Sequence, residues 1–124
     1  MSAYEFAVTV RTQHLPEQSK PDRDQFVFSY TITIKNTGSV AAQLISRHWV
    51  ILDANNTVQE VRGLGVVGHQ PLLKPGEEFE YTSGTQMATA QGSMYGEYFC
   101  VAEDGHRFEV PIPEFVLAQP GALH

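Results

Sequence analysis

Alternation of apolar and polar positions dominates the chain. In "FVFSYTITIKN", Phe26, Phe28, Tyr30, Ile32 and Ile34 fall on one face and Ser29, Thr31, Thr33 and Lys35 on the other. Side chains of extended backbone point alternately to opposite sides, so this period, filled with β-branched and aromatic residues, predicts a half-buried strand ended by Asn36-Thr37-Gly38. The opening run repeats the pattern, with Tyr4, Phe6, Val8 and Val10 set against Glu5, Thr9 and Arg11. Between them, "LPEQSKPDRD" carries two prolines and mixed charge and reads as a surface loop. "QLISRHWVILD" is apolar on both faces and is expected to be a central strand, with Trp49 filling the space between two layers.

Turn residues punctuate the remainder. Asn55-Asn56 precedes "TVQEVRG" and predicts a hairpin, because asparagine tolerates positive φ. "PLLKPG" ends in a Pro-Gly turn, after which Phe79 and Tyr81 alternate with Glu78, Glu80 and Thr82. The segment 83–93, "SGTQMATAQGS", reads as polar and irregular. It leads into the strand "MYGEYFCVAE", then an Asp104-Gly105 hairpin turn, then "HRFEVPIPEFVL". In that last run Phe108, Val110 and Ile112 share a face, and Pro111 and Pro113 mark an edge or the end of regular pairing. Seven to eight short strands, with turn signals every ~8–12 residues and no sustained amphipathic helix, predict an all-β fold. The expectation is an antiparallel two-sheet sandwich, with a small closed barrel as the alternative.

Composition narrows the functional classes. The 124 residues, 42% hydrophobic and 18% charged, suit a single domain, 1–124, with one core. A formal charge of −6 argues against a broad nucleic-acid footprint, and no apolar run is long enough for a membrane helix. "MSAYEFAVTV" lacks a basic region ahead of an apolar run, so the cytoplasm is the expected location. The single cysteine, Cys100, cannot make an intrachain disulfide and is expected to be a buried structural thiol.

The most conspicuous motif is Gly63-Leu64-Gly65-Val66-Val67-Gly68, a GxGxxG spacing. In dinucleotide-binding folds such glycines act between a strand and a helix whose N-terminus holds the pyrophosphate. Here Pro71 and Pro75-Gly76 leave no room for that helix, and no Walker lysine follows. Three readings stay open. The glycines serve turns or close strand packing; or the loop recognises a protein surface; or its N–H groups form an anion nest for a small phosphate-containing ligand, assisted by Arg62 and His69 and by Arg47 or Lys74. The candidate binding set is therefore Arg62, Gly63, Gly65, Gly68 and His69.

No catalytic, cofactor or metal constellation emerges from spacing. His14, His48, His69, His106 and His124 are scattered, and Glu77, Glu78 and Glu80 read as a solvated charged face. Asp53, Glu60, Glu97, Asp104 and Glu109 offer carboxylates without a visible pairing, and Ser83 in "YTSG" lacks the surroundings of a nucleophile.

Taken in order, "FVFSYTITIKNTGSVAAQLISRHWVILDANN", "VRGLGVVGHQPLLKPGEEFEYTSGTQMATAQGSMYGEYFCV" and "VPIPEFVLAQP" closely resemble the bacterial ApaG family over nearly the whole chain. The resemblance implies an immunoglobulin-like or fibronectin type III-like sandwich. Related domains in eukaryotic F-box and polymerase-associated proteins imply a protein-interaction role, and with no catalytic or cofactor constellation in the residues the expectation is a non-enzymatic interaction module without a cofactor. The family's glycines map onto Gly63, Gly65 and Gly68 without a change of spacing. Sheet edges left open by a sandwich lead us to expect a monomer or a weak homodimer.

Overall fold

The computed structural model describes residues 2–121. It contains eight strands: β1 Phe6–His14, β2 Phe26–Asn36, β3 Ala42–Asp53, β4 Val58–Leu64, β5 Leu72–Leu73, β6 Glu78–Met87, β7 Gln91–Ala102 and β8 Arg107–Ala118. Two single 3₁₀ turns, Pro16–Gln18 and Pro21–Arg23, occupy the proline-rich loop. One antiparallel sheet has the order β1-β2-β6; the other runs β4-β3-β7-β8, with β5 pairing β3 beyond the end of β4. The sheets do not close on one another, so the architecture is the sandwich and not the barrel. His124 lies outside the described residues.

β2 is the strand that alternation predicts, buried at Phe26, Phe28, Tyr30, Ile32, Ile34 and Asn36 and more open between them. Asn36 ends it as a satisfied buried amide. Its Nδ2 donates to the carbonyls of Val40 (3.0 Å) and Leu73 (2.9 Å), and its Oδ1 accepts from the Gly38 N–H at 2.8 Å. A buried amide with its bonds made costs little and ties three segments together. The segment 83–93 differs from expectation. Ser83 through Met87 continue β6 in register with β2, and Gln91 already begins β7, so 88–90 alone lie outside strands. Ser83 and Thr85 take inward positions where the sandwich opens into a cleft, so small polar residues there conceal the strand period.

Trp49 is buried as expected. Its ring centroid lies 5.4 Å from Tyr30 in the facing sheet and 5.9 Å from Phe115 on β8. Cys100 is fully buried, and burial pushes its thiol pKa up to about 12, so it is inert in the folded chain. Across the middle of the core, the Tyr81 hydroxyl on β6 meets the Tyr98 hydroxyl on β7 at 2.5 Å. Burial raises both phenol pKa values above the ordinary range, so each hydroxyl keeps its proton and the pair bridges the sheets as neutral groups.

Removing one member of that bridge strands the other without a partner. Tyr98→Phe is expected to destabilise by about 1–3 kcal/mol, and Tyr81→Phe/Tyr98→Phe by clearly less than the sum of the two single changes. Denaturant unfolding of the three variants checks this; additive losses would show that the hydroxyls do not act as a pair.

Candidate functional site

The glycine motif lies at the free edge of the larger sheet, and each of its glycines answers a different local demand. The first demand starts in β3. The pairing of β3 with β7 shifts by one residue between Leu44 and Ser46, a bulge at Ile45. The Ile45 carbonyl accepts from the Gly65 N–H at 2.8 Å and from Gln70 Nε2 at 2.9 Å, and Gln43 Nε2 donates to the Gln70 carbonyl at 2.9 Å. The bulge therefore anchors the loop that follows β4.

Gly63 pairs opposite Arg47. A Cβ at Gly63 would come within 2.8 Å of both terminal guanidinium nitrogens. Without it, Arg47 lies across β4, and its Nη1 donates to the carbonyls of Leu64 (3.0 Å) and Gly65 (2.9 Å). Gly65 has φ of 65°, and a Cβ there would overlap the His69 carbonyl oxygen. Val66 is fully buried and pins the loop to the core. Its N–H donates to the His69 carbonyl at 2.8 Å, and the His69 N–H returns the bond to the Val66 carbonyl at 3.0 Å. Between them Val67 and Gly68 have φ of 48° and 79°, the double positive φ of a type I′ turn.

This geometry separates the residues that spacing placed together. The N–H of Gly65 is spent on the Ile45 carbonyl of β3, and those of Val66 and His69 on each other's carbonyls, so these three are not free to ring an anion. Arg47 is likewise engaged by backbone carbonyls. Arg62 extends on the outer face of the sheet beside Glu60, 3.9 Å away, whereas the His69 ring packs against Phe79 of the other sheet at 5.6 Å. Lys74 belongs to the turn after β5, its N–H bonded to Glu77 Oε1 at 2.8 Å.

Two features were not foreseen from spacing. One is Val67, a β-branched residue in the left-handed region, 57% exposed at the tip of the turn. Leu64 at 74% and Leu72 at 56% flank it in sequence. Asparagine and glycine are the usual residues there, so nothing in a valine announces the turn. The other is a row of titratable groups on the outer face of the larger sheet. His48 Nε2 is 3.5 Å from Glu60 Oε2 and its Nδ1 is 3.7 Å from Glu97 Oε1, both outside good hydrogen-bond geometry. Glu97 lies close to Glu109 and raises its pKa, because it can accept a hydrogen bond from the protonated Glu109 carboxyl and its charge repels the ionised one. His48, Glu97 and Glu109, together with Arg47, Leu64, Phe99 and the candidate residues Arg62 and Gly63, line an open cleft of about 450 Å³. Spacing hid this row, because its members lie on β3, β4, β7 and β8 and only the sheet order brings them side by side. No group of three or more histidine, cysteine or acidic side chains poised to hold a metal ion occurs among the described residues. No helix among them is long and apolar enough to cross a membrane.

The ApaG domain model matches residues 16–102. A curated ApaG protein from Ralstonia nicotianae is 69% identical over the full length of both chains. The chain belongs to the ApaG family. Another ApaG protein, from Dechloromonas aromatica, is 64% identical over 98% of this chain and 95% of its own. The crystal structure of a Bordetella pertussis protein named ApaA superposes with a TM-score of 0.94 at 58% identity, covering 98% of each chain. Within this ApaG chain, the Gly63, Gly65 and Gly68 pattern is accounted for by one arginine crossing and two positive-φ positions.

Two measurements test this assignment of roles. Gly65→Ala places a side chain in the left-handed region and against a backbone oxygen, so it is expected to lose at least about 1–2 kcal/mol in denaturant unfolding. Unchanged stability would show that the loop has another conformation. Glu109→Gln tests the outer row through pH. The folded pKa of Glu109 is raised, so the folded state favours its protonated form, and ionisation destabilises it as pH rises through that pKa. Glu109→Gln is therefore expected to unfold at higher temperature than wild type at neutral pH, with the difference vanishing below the ordinary carboxylate range. A difference independent of pH would exclude the Glu97–Glu109 contact as its source.

Proposed function

We propose that the chain is a non-enzymatic protein-interaction module, an immunoglobulin-like or fibronectin type III-like sandwich acting in the cytoplasm. Its recognition surface is the apolar edge formed by Leu64, Val67 and Leu72 around the glycine turn. The observation that carries this reading is Val67. Holding a β-branched residue at φ of 48° costs stability that glycine would spare, yet its side chain contributes nothing to the core and faces solvent. Strain kept at an exposed apolar tip fits a residue retained for what it touches. Exposed leucines on either side extend the surface, and the short β5 leaves an edge on which a partner segment can pair.

The same strain supplies the test. Val67→Gly relieves the left-handed conformation, so it is expected to unfold no earlier than wild type, while partner affinity falls by about 1–2 kcal/mol. Leu72→Asp is expected to weaken the same partner further. The measurement is a titration of a partner captured from cytoplasmic extract, with melting curves on the same preparations and pyrophosphate as a control ligand. Unchanged affinity in both variants, or saturable heat from pyrophosphate, would overturn this reading.

A further inference from the structure

β4 is unusual among the long strands because none of its seven residues is buried. Only Val61 packs against the core, so the core leaves the outward-facing row of β4 unspecified. That row nevertheless reads apolar, acid, base, apolar: Val58, Glu60, Arg62, Leu64. Val58 and Leu64 are 56% and 74% exposed on a strand that ends the sheet. The opposite end of that sheet is blunted by Pro111 and Pro113 in β8, as edges exposed to other chains commonly are. β4 carries no proline.

The hydrogen-bond phase says which backbone groups β4 leaves free. The Asp53 N–H donates to the Thr57 carbonyl and the Gly65 N–H to the Ile45 carbonyl, bracketing the ladder in which Trp49 opposes Val61. Odd-numbered residues of β4 thus turn their backbone groups toward β3. In alternating antiparallel geometry, Val58, Glu60, Arg62 and Leu64 turn theirs toward the open edge, where the Leu64 carbonyl already accepts one bond from Arg47 Nη1 and keeps a second lone pair.

We propose that β4 is the interface of a two-fold homodimer, pairing antiparallel with β4 of a second copy about an axis at Val61. That register sets Glu60 opposite the partner's Arg62 and Arg62 opposite the partner's Glu60. Val58 meets the partner's Leu64, and Leu64 the partner's Val58. Every outward side chain finds a complement, and these four residues are the ones whose N–H groups point outward. On the inner face, Val61 meets the partner's Val61 and Gln59 lies opposite the partner's Gly63. A shift of the axis by one residue would place Glu60 against the partner's Glu60 or Arg62 against the partner's Arg62, so charge selects the register. The interface is isologous and closes after two copies. A pair of seven-residue strands buries less than the ~1,200–2,000 Å² of a stable complex, so the dimer is reversible and concentration-dependent. This goes beyond the recognition surface proposed at Val67 and Leu72. Leu64, the last residue of β4, belongs to both surfaces, but the recognition test uses Val67 and Leu72 and the dimer test uses Glu60, Val61 and Arg62, so failure of one proposal is distinguishable from failure of the other.

Cysteine cross-linking reads the register directly. Val61 and the partner's Val61 form a non-hydrogen-bonded pair with Cα atoms ~4.5 Å apart, within disulfide reach. Val61→Cys is expected to oxidise to a covalent dimer about tenfold or more faster than Gln59→Cys, which faces glycine. The native Cys100 is buried and does not compete. Sedimentation velocity from micromolar to millimolar chain should show wild type moving from monomer toward dimer. Glu60→Lys should weaken association about tenfold or more, and Glu60→Arg combined with Arg62→Glu should restore it. Circular dichroism confirms folding of each variant, and the charge exchange decides the matter if Val61→Cys does not fold. A wild-type monomer throughout the range, a dimer in which Gln59→Cys cross-links first, or a charge exchange that fails to restore association each overturns the proposal.

Discussion

The bulge at Ile45 is the constraint on which the rest of the larger sheet depends. Before it, Ala42 and Leu44 face the core; after it, Trp49 and Ile51 do. Unbroken alternation from Leu44 would have carried His48 and Val50 into the sandwich and turned Trp49 out. The extra residue therefore decides that the indole fills the core and that His48 joins the outer row of acids. It also directs Arg47 toward Gly63, and it aims the Ile45 carbonyl at Gly65 and Gln70. One local departure from strand geometry thus places the core aromatic, the crossing arginine and the loop together.

The strands were legible where burial on one face is uniform. β2 shows its inward row without interruption, and β1 and the first half of β8 show theirs. Asp104-Gly105 gave its hairpin because Gly105, at φ of 90°, has the conformation that a turn glycine supplies. β6 beyond Tyr81 was not legible. Its inward positions there, Ser83 and Thr85, line a wet cleft and not the core, so the apolar period that marks a strand disappears while the ladder to β2 continues.

The candidate site was legible as a location and not as a mechanism. Spacing alone brought Gly63, Gly65 and Gly68 forward; Gly65 and Gly68 hold positive φ, and Gly63 leaves room for Arg47. What spacing could not convey was that the carbonyls of Ile45, His69 and Val66 take up the N–H groups of Gly65, Val66 and His69. That depends on the Val66–His69 turn and on the bulge in a strand some twenty residues earlier in the chain. Arg62 and His69 are close in sequence, yet they belong to opposite sides of the sheet once β4 ends and the chain turns. Sequence distance is a poor guide to convergence wherever a tight turn intervenes.

The two ends of the larger sheet carry different side-chain physics. In β8 the prolines delete N–H donors, so that edge cannot continue a ladder. In β4 every residue keeps its N–H, and the side chains alternate between the cleft and a surface row whose charges cancel in pairs. Arg47 sharpens this difference. By crossing β4 and binding the Leu64 carbonyl it fixes the end of the strand in extended geometry, taking one lone pair of that carbonyl and none of the strand's N–H donors. Glycine at position 63 is what permits that crossing, since any side chain there would push the guanidinium away. The glycine spacing that resembles a nucleotide motif thus acts on the strand before it as much as on the loop after it: it holds an exposed edge straight, and a straight edge with unspent donors is a surface on which another strand can form.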